Sequence, residues 1–319
     1  MRLFQFLFIS FFLLSVSQAQ DNLYSLRTGN VNHFNPALVG VQSDLAVNLA
    51  YRDHSYMLSG QSSTASILTN YNLKNKLGFG LELYGDNAGE DLLQTTILKG
   101  NFNYSFNKKK IKTRVGLNVG YRESTVNWQT LKFEDQIDPS RGFSNQTAEQ
   151  ITENPSQAIL LDFGFVSEYK NIIFGVSAMQ FNQPNVSILT HNGNTILPTR
   201  WVSTLGYTKK VKEVNLSGLL TSQFQSQSTL LTTQVTSQYK FARIGIGYRQ
   251  VFGEYKNNSW LLASAGIQFD KFQISYAYDS YYVEAGSRQN YSTHEVAAAY
   301  FIKGLKKDSK ISSFFNSIL

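Results

Sequence analysis

The feature that most constrains this chain is an alternation of apolar and polar residues that recurs along most of its length. Early in the chain, Leu45, Val47 and Leu49 alternate with Ala46 and Asn48. The same period of two recurs in residues 77–83, 115–122, 161–168, 243–249 and 274–279. Successive side chains of a β-strand point to opposite faces, so the pattern predicts strands with one apolar and one polar face.

About fourteen such strands are predicted from the period of two. They cover approximately residues 45–52, 60–71, 76–85, 92–106, 111–128, 157–169, 171–181, 199–209, 213–225, 229–240, 243–252, 259–269, 272–280 and 292–302. Many have the length that a tilted strand needs to cross the hydrocarbon core of a membrane, and several end in aromatic residues. The fold class indicated is all-β: a transmembrane, up-and-down antiparallel β-barrel of about 14 strands over residues 45–302, surrounded by outer-membrane lipid.

The predicted connections alternate in length and in charge. Brief turns alternate with long stretches such as residues 129–156 and 182–198, and lysines such as Lys108, Lys109 and Lys110 gather in the brief turns. Bacterial barrels have short periplasmic turns and longer outer loops, so we expect a lysine-rich periplasmic side that also holds both termini. A soluble β-sandwich is the alternative fold, but it predicts neither alternation.

Both ends of the chain depart from the strand pattern. Residues 1–19 are predicted to be a cleaved signal peptide, with Arg2 before an apolar core, and residues 20–44 a periplasmic segment that leads into the barrel. Residues 303–319 predict a basic, amphipathic periplasmic tail with Phe314 and Phe315 on its apolar face, or else a frayed end. The chain has no cysteine, which excludes a disulfide framework. Its net charge of +7 lies in lysine-rich turns without an aromatic platform, so no nucleic-acid partner is expected.

The polar strand faces carry charges that a lipid-facing surface would not tolerate. On the barrel interpretation these residues line the lumen: Arg52, Glu82, Arg114, Arg122, Asp162, Glu168, Arg243, Arg249, Asp279 and Glu295. The first and last strands must pair to close the barrel, so we expect an ion pair between Arg52 and Glu295 at this seam, beside His294. If the pair serves closure, Glu295→Ala should lower the resistance of the barrel to heat.

The His294-Glu295 pair also raises the question of a metal or catalytic site. A zinc-protease motif needs a second histidine four residues later, where this chain has Ala298. No Ser/His/Asp set stands out, so we expect no catalytic residue, no metal and no cofactor. An outer-membrane hydrolase would need a nucleophile and a base within reach of each other at the outer rim. A porin or transporter could use the same lumenal charges, and its ion conductance would distinguish it from a binding module.

Several stretches, taken in order, are similar to one known family. They are NPALVG (residues 35–40), YRDHSYMLSG (51–60), LGFGLELYGDNAGED (77–91), FGVSAMQFNQPN (174–185) and ISYAYDS (274–280) followed by STHEVAAAYFI (292–302). Together they resemble the PorP/SprF family of the type IX secretion system of Bacteroidota. The chain departs from that family's usual Gln-Trp at His54-Ser55, and it carries Ser292-Thr293 before the His-Glu pair.

The resemblance implies a non-enzymatic outer-membrane component that binds or anchors secreted surface proteins, such as gliding-related adhesins, through their C-terminal domains. It also implies periplasmic type IX secretion ring components as partners. Aromatic residues give large contact areas, so candidate contacts in the outer loops are Tyr56, Tyr281, Tyr282 and Glu284. Candidate periplasmic contacts are Lys108, Lys109, Lys110, Phe314 and Phe315. The alternative function is a porin or a transporter of small solutes or hydrophobic compounds.

Overall fold

The computed structural model of the protein describes residues 23–41, 43–55, 62–73, 76–108, 110–128, 131, 133–138, 140, 142–143, 155–188, 194–253, 258–282 and 292–302. These residues form sixteen strands and two short 3-10 turns, at Pro36–Leu38 and Glu134–Gln136. The strands are β1 (Leu45–Ser55), β2 (Ser62–Leu73), β3 (Leu77–Ala88), β4 (Leu93–Lys108), β5 (Ile111–Val126), β6 (Ile137–Asp138), β7 (Gly142–Phe143), β8 (Ser156–Tyr169), β9 (Ile172–Met179), β10 (Arg200–Val211), β11 (Val214–Gln225), β12 (Ser228–Tyr239), β13 (Ala242–Phe252), β14 (Asn258–Gln268), β15 (Phe272–Tyr282) and β16 (Ser292–Ile302).

All strands except β6 and β7 join in one closed antiparallel barrel of fourteen strands, in which each strand pairs with its neighbours along the chain. The barrel closes where β1 pairs with β16, from Leu45 opposite Ile302 to Ser55 opposite Ser292. Strands β6 and β7 form a separate small hairpin within the connection between β5 and β8. The predicted fold class is confirmed, and each predicted strand matches an observed one with small shifts at its ends. Closure gives every barrel strand a paired neighbour on each side, which the sandwich alternative would not achieve.

The two faces of the wall differ as the alternation predicts. Apolar side chains point outward and stay exposed, for example Ile246 at 72% and Leu81 at 54%. Polar side chains point inward and are buried, as Asn48 and Asp162 are, both 0% exposed. An outward apolar band around a polar interior is the arrangement of a membrane barrel. Among the described residues, no helix has the length and apolar character needed to cross a membrane.

The barrel has one end with short connections and one with long connections. At the short-connection end, only two or three residues of sequence separate β2 from β3, β4 from β5, β8 from β9, β10 from β11, β12 from β13 and β14 from β15. At the other end, the sequence between paired strands is four residues or longer for β1–β2, β3–β4, β5–β8, β9–β10, β13–β14 and β15–β16, and two residues for β11–β12. Lys170 and Lys240 lie in the short turns, with their ammonium groups 5.3 and 5.1 Å from the ring centroids of Tyr169 and Tyr239.

Candidate functional site: a plug inside the barrel

The lumen is occupied by the chain's own N-terminal segment. Residues 24–41, hereafter the plug, precede β1 and are all buried. A barrel of about fourteen strands is wider than its own inward side chains can fill, so additional chain is needed to exclude water. The sequence predicts a periplasmic segment over residues 20–44 and no lumenal position for any of them.

The plug runs from one end of the barrel to the other. Leu23 lies beside Arg200, Gln225 and Leu230, where β10 and β12 begin and β11 ends, at the long-connection end. Asp44 lies at the short-connection end, where its carbonyl accepts a hydrogen bond from the Asn72 amide over 2.8 Å. Leu23 therefore lies at the opposite end of the barrel from Ile302. The termini themselves, for which a shared periplasmic location is predicted, fall outside the described residues.

The carboxylate of Glu295 on β16 holds the start of the plug. It accepts the backbone amide of Ser25 at 2.7 Å and that of Leu26 at 2.9 Å. Arg52 on β1 donates to the same carboxylate, with 2.6 Å between Nη1 and Oε2. Arg52 and Glu295 are direct register partners, so the predicted ion pair across the seam is present. Its carboxylate, however, is shared with the backbone of the plug.

Asp279 on β15 extends this network to a second arginine. Its Oδ2 lies 2.7 Å from Arg52 Nη2 and 2.9 Å from Arg249 Nη1, and it accepts the Ser25 hydroxyl at 2.6 Å. Arg249 Nη2 also donates to the Tyr24 carbonyl over 3.1 Å. Arg52, Arg249, Asp279 and Glu295 are each at most 2% exposed. Two arginines and two carboxylates thus balance in charge, and all four share hydrogen bonds with the plug or with one another.

His294 lies at the seam, as expected, and its side chain points away from the lumen. It is the register partner of Asp53, and its side chain is exposed on the outer face. There its Nδ1 lies 2.7 Å from the Tyr276 hydroxyl. The reason is the period of two, because Glu295 points inward and its neighbour must then point outward.

Glu82 on β3, another predicted lumenal residue, binds the middle of the plug. It accepts the side-chain amides of Asn30 at 2.6 Å and Asn32 at 2.5 Å. Asn118 on β5 donates to Asn32 Oδ1 at 3.0 Å, and also to Asp162 at 2.9 Å. Amide side chains on the plug therefore satisfy a buried carboxylate that lies deep among the wall strands.

Asp162 on β8 is balanced by Lys99 on β4, whose Nζ lies 3.0 Å from its Oδ2. Two strands away from β8, Arg200 on β10 donates to the His33 carbonyl at 3.1 Å and contacts His33 Nε2 at 3.0 Å. The plug is therefore bound from several sides of the barrel. The other predicted lumenal charges, Arg114, Arg122, Glu168 and Arg243, also lie on inner faces and are buried or half-buried.

The Asn-Pro-Ala turn of the plug rests against a glycine pair of the wall. The Asn35 side chain caps the turn by accepting the Ala37 amide at 2.9 Å, and it donates to the carbonyls of β8 and β9. Gly116 and Gly164 are register partners beneath this turn. A Cβ at Gly116 would lie 2.5 Å from the Ala37 nitrogen, so a larger residue would displace the turn. The close approach of two backbones explains glycine here.

Apolar contacts complete the packing of the plug. Leu26 packs against the wall alanines Ala277 and Ala297, both at most 1% exposed. Val31, Leu38 and Val39 form a second cluster with residues of the wall. Small wall residues leave room for the plug side chains, so wall and plug pack like the core of a soluble domain.

The predicted partner-contact residues lie elsewhere, and only some are described. Tyr281 lies at the long-connection end, where its ring centroid is 5.3 Å from that of Trp260 and its hydroxyl donates to Asn258 at 2.6 Å. Tyr282 ends β15 beside it. Lys108 and Lys110 are exposed at the short-connection end. The remaining candidates, Tyr56, Lys109, Glu284, Phe314 and Phe315, lie outside the described residues.

Sequence reasoning missed the plug residues that touch the wall, above all Ser25, Asn30, Asn32 and Asn35. One signal could have drawn attention to them, because the asparagines cluster in a segment without strand alternation. The described part of the chain contains no group of three or more His, Asp or Glu residues that could hold a metal ion.

The closed strand order, the outward apolar band and the polar, filled lumen define a transmembrane β-barrel of the outer-membrane type with an internal plug. The family model described as type IX secretion system membrane protein PorP/SprF matches residues 16–300. The chain therefore belongs to the PorP/SprF family, as its motifs predict. No curated protein sequence matches it.

Solved structures with the same fold include three barrels of very low sequence identity. The CymD monoaromatic hydrocarbon channel has a TM-score of 0.56 at 9% identity, covering 86% of this chain and 93% of its own. The Pseudomonas putida toluene transporter TodX has a TM-score of 0.52 at 10% identity, covering 85% and 93%. The Ralstonia pickettii toluene transporter TbuX has a TM-score of 0.50 at 11% identity, covering 84% and 92%. At these identities the likeness supports the barrel fold alone.

Proposed function

We propose that this protein is a non-enzymatic component of the type IX secretion system that binds or anchors secreted surface proteins through their C-terminal domains. It would act in the outer membrane together with periplasmic ring components of the system. Family membership supports the secretion role. The filled lumen supports a binding module over a pore, because the buried wall residues that form ion pairs with one another also hydrogen-bond the plug at Tyr24, Ser25 and Leu26.

A plugged barrel offers its two ends as binding surfaces. At the long-connection end, the Trp260 and Tyr281 rings form an aromatic pair, with their ring centroids 5.3 Å apart and their planes inclined at 59°. Large aromatic side chains with few rotatable bonds are enriched at protein interfaces. The exposed Lys108 and Lys110 at the opposite end would suit an acidic periplasmic partner, with charge contributing more to specificity and association rate than to affinity.

The experiment is a mild-detergent pull-down of the tagged protein from its own outer membrane, with mass spectrometry of the proteins that follow it. We expect a large secreted protein that is lost when its C-terminal domain is removed. Tyr281→Ala should reduce its recovery. Tyr239→Ala is the matched control, since it removes a tyrosine at the short-connection end. Recovery of the barrel without any secreted protein would contradict the proposal.

The second candidate is a porin or a transporter of small solutes or hydrophobic compounds. Two observations favour it. The structurally similar CymD and TodX are a monoaromatic hydrocarbon channel and a toluene transporter. Small cavities also remain between the plug and the wall, one of them beside Leu23. Conductance in planar bilayers separates the two candidates. A steady ion current from the intact protein supports the transporter, and silence supports the binding module.

A further inference from the structure

The outer, lipid-facing side of the barrel wall has a groove that crosses strands β9 to β12. Its volume is about 420 Å³. Large side chains that point outward border it, and each is between 38% and 56% exposed: Ile172 on β9, Leu205 and Tyr207 on β10, Leu220 on β11 and Val235 on β12. The groove therefore opens toward the membrane and not toward the lumen that the plug fills.

Gly218 on β11 forms the floor of this groove. It is the register partner of Tyr207 on one side and of Val235 on the other. Residues directly opposite each other in paired strands share a face of the sheet, so Gly218 also faces outward. A Cβ added at Gly218 would meet no atom within 4 Å. A glycine inside a strand weakens it and often marks a place where a ligand approaches the backbone closely.

Lysines lie next to the groove on the side of the short-connection end. Lys209 is exposed two residues beyond Tyr207 on β10, so it shares the outer face at a distance of about 7 Å along the strand. The Lys170 ammonium lies 5.3 Å from the ring centroid of Tyr169, which is the register partner of the groove residue Ile172. The three short connections beside the groove, with the strand ends next to them, carry five exposed lysines and one acidic residue: Lys170, Lys209, Lys210, Lys212, Lys240 and Glu213.

The order of these features along the wall matches the order of groups in a phospholipid. A water-sized group takes up about 30 Å³ of liquid, so the groove accepts on the order of ten methylene groups of an acyl chain. Lysines near a membrane surface attract anionic headgroups, and tyrosines are enriched at the same depth. We propose that the groove binds one anionic phospholipid, with an acyl chain over Gly218 and the headgroup phosphate beside Lys209 and Lys170.

The same charges argue against a second copy of the barrel as the occupant. Two copies related by a two-fold axis would bring this patch against itself, and its lysines would then face the lysines of the other copy. A negatively charged headgroup is instead complementary to them. The lipid site lies on the outer wall and does not depend on the proposed secretion function.

The test is native mass spectrometry of the full-length barrel in non-ionic detergent, with equal amounts of phosphatidylglycerol and phosphatidylethanolamine that carry the same acyl chains. Only the first lipid has a net negative charge. We expect the barrel to retain one phosphatidylglycerol in preference to phosphatidylethanolamine. Lys209→Gln should lower this preference about fivefold, the effect expected of one lysine near an anionic surface. Gly218→Leu should lose the retained lipid, because leucine occupies the place of the acyl chain.

Gly85→Leu is the matched control. Gly85 lies on β3, six strands from β11, and it faces outward because it is two residues beyond the exposed Leu83. A Cβ added there also meets no atom within 4 Å, so leucine fits equally well. This variant should retain the lipid, and heat-dependent migration on denaturing gels verifies that each variant is a folded barrel.

Three results would overturn the proposal. The first is a wild-type barrel that shows no preference for phosphatidylglycerol. The second is a folded Gly218→Leu variant that retains the lipid as well as Gly85→Leu does. The third is a dimer of the wild-type barrel that Gly218→Leu dissociates, which would assign the groove to a second copy of the chain.

Discussion

Replacing Glu295 with alanine tests whether the seam ion pair holds the plug. The change removes the acceptor of the Ser25 and Leu26 amides and one of the two carboxylates that contact Arg52. Asp279 remains, so Arg52 keeps one partner. Breaking a buried ion pair by removing one member typically costs about 3–5 kcal/mol. At the lower end of that range, the population of barrels with a displaced plug rises by about a hundredfold.

The assay is the reaction of a cysteine in the plug with a maleimide. The chain has no cysteine, so Thr28→Cys supplies a single thiol at a position that is 2% exposed. When the plug returns faster than the thiol reacts, the labelling rate follows the population of the displaced state. We expect labelling about a hundredfold faster when Glu295→Ala is added.

Glu168→Ala in the same Thr28→Cys background is the matched control. It removes another buried carboxylate of the wall, one that pairs with Lys112 at 3.4 Å near the short-connection end. Its labelling rate should stay close to that of the unmodified background. If Glu295→Ala labels no faster than this control, the network does not hold the plug. Lower heat resistance with unchanged labelling would instead assign the ion pair to barrel closure.

Three further predictions concern packing, conduction and the lipid face. Gly116→Ala should destabilise the plugged barrel by about 1–3 kcal/mol in thermal unfolding, because its Cβ would meet the plug backbone. Gly218→Ala should change little, since its Cβ has open space around it, and equal effects would contradict the close-packed turn. Deletion of residues 23–41 should give ion conductance in planar bilayers where the intact barrel is silent, and a silent, folded deletion would show that other parts of the chain close the lumen. Ile246→Arg should cost about 2–4 kcal/mol and reduce membrane assembly, whereas Ile246→Leu, which keeps an apolar side chain on the lipid face, should assemble normally; normal assembly of Ile246→Arg would contradict the assignment of faces.

The wall of the barrel was predictable because its signal is local. In each strand, residues two apart point to the same face. The inward position of Arg52, Glu82 and Asp279 therefore follows from periodicity alone. The same rule also puts His294 on the outer face when Glu295 faces inward. The ion pair between Arg52 and Glu295 followed from barrel closure, which fixes which strands are neighbours.

By itself, the sequence determined the strands, their two faces and the contrast between short and long connections. Only the tertiary structure decided that residues 24–41 fill the lumen. The physical reason is that the plug has no periodic pattern and is held by partners far along the chain, as when the Ser25 amide meets Glu295, 270 residues away. Such contacts exist only in the closed barrel, where the inward charges surround one space that the plug fills and hydrogen-bonds to.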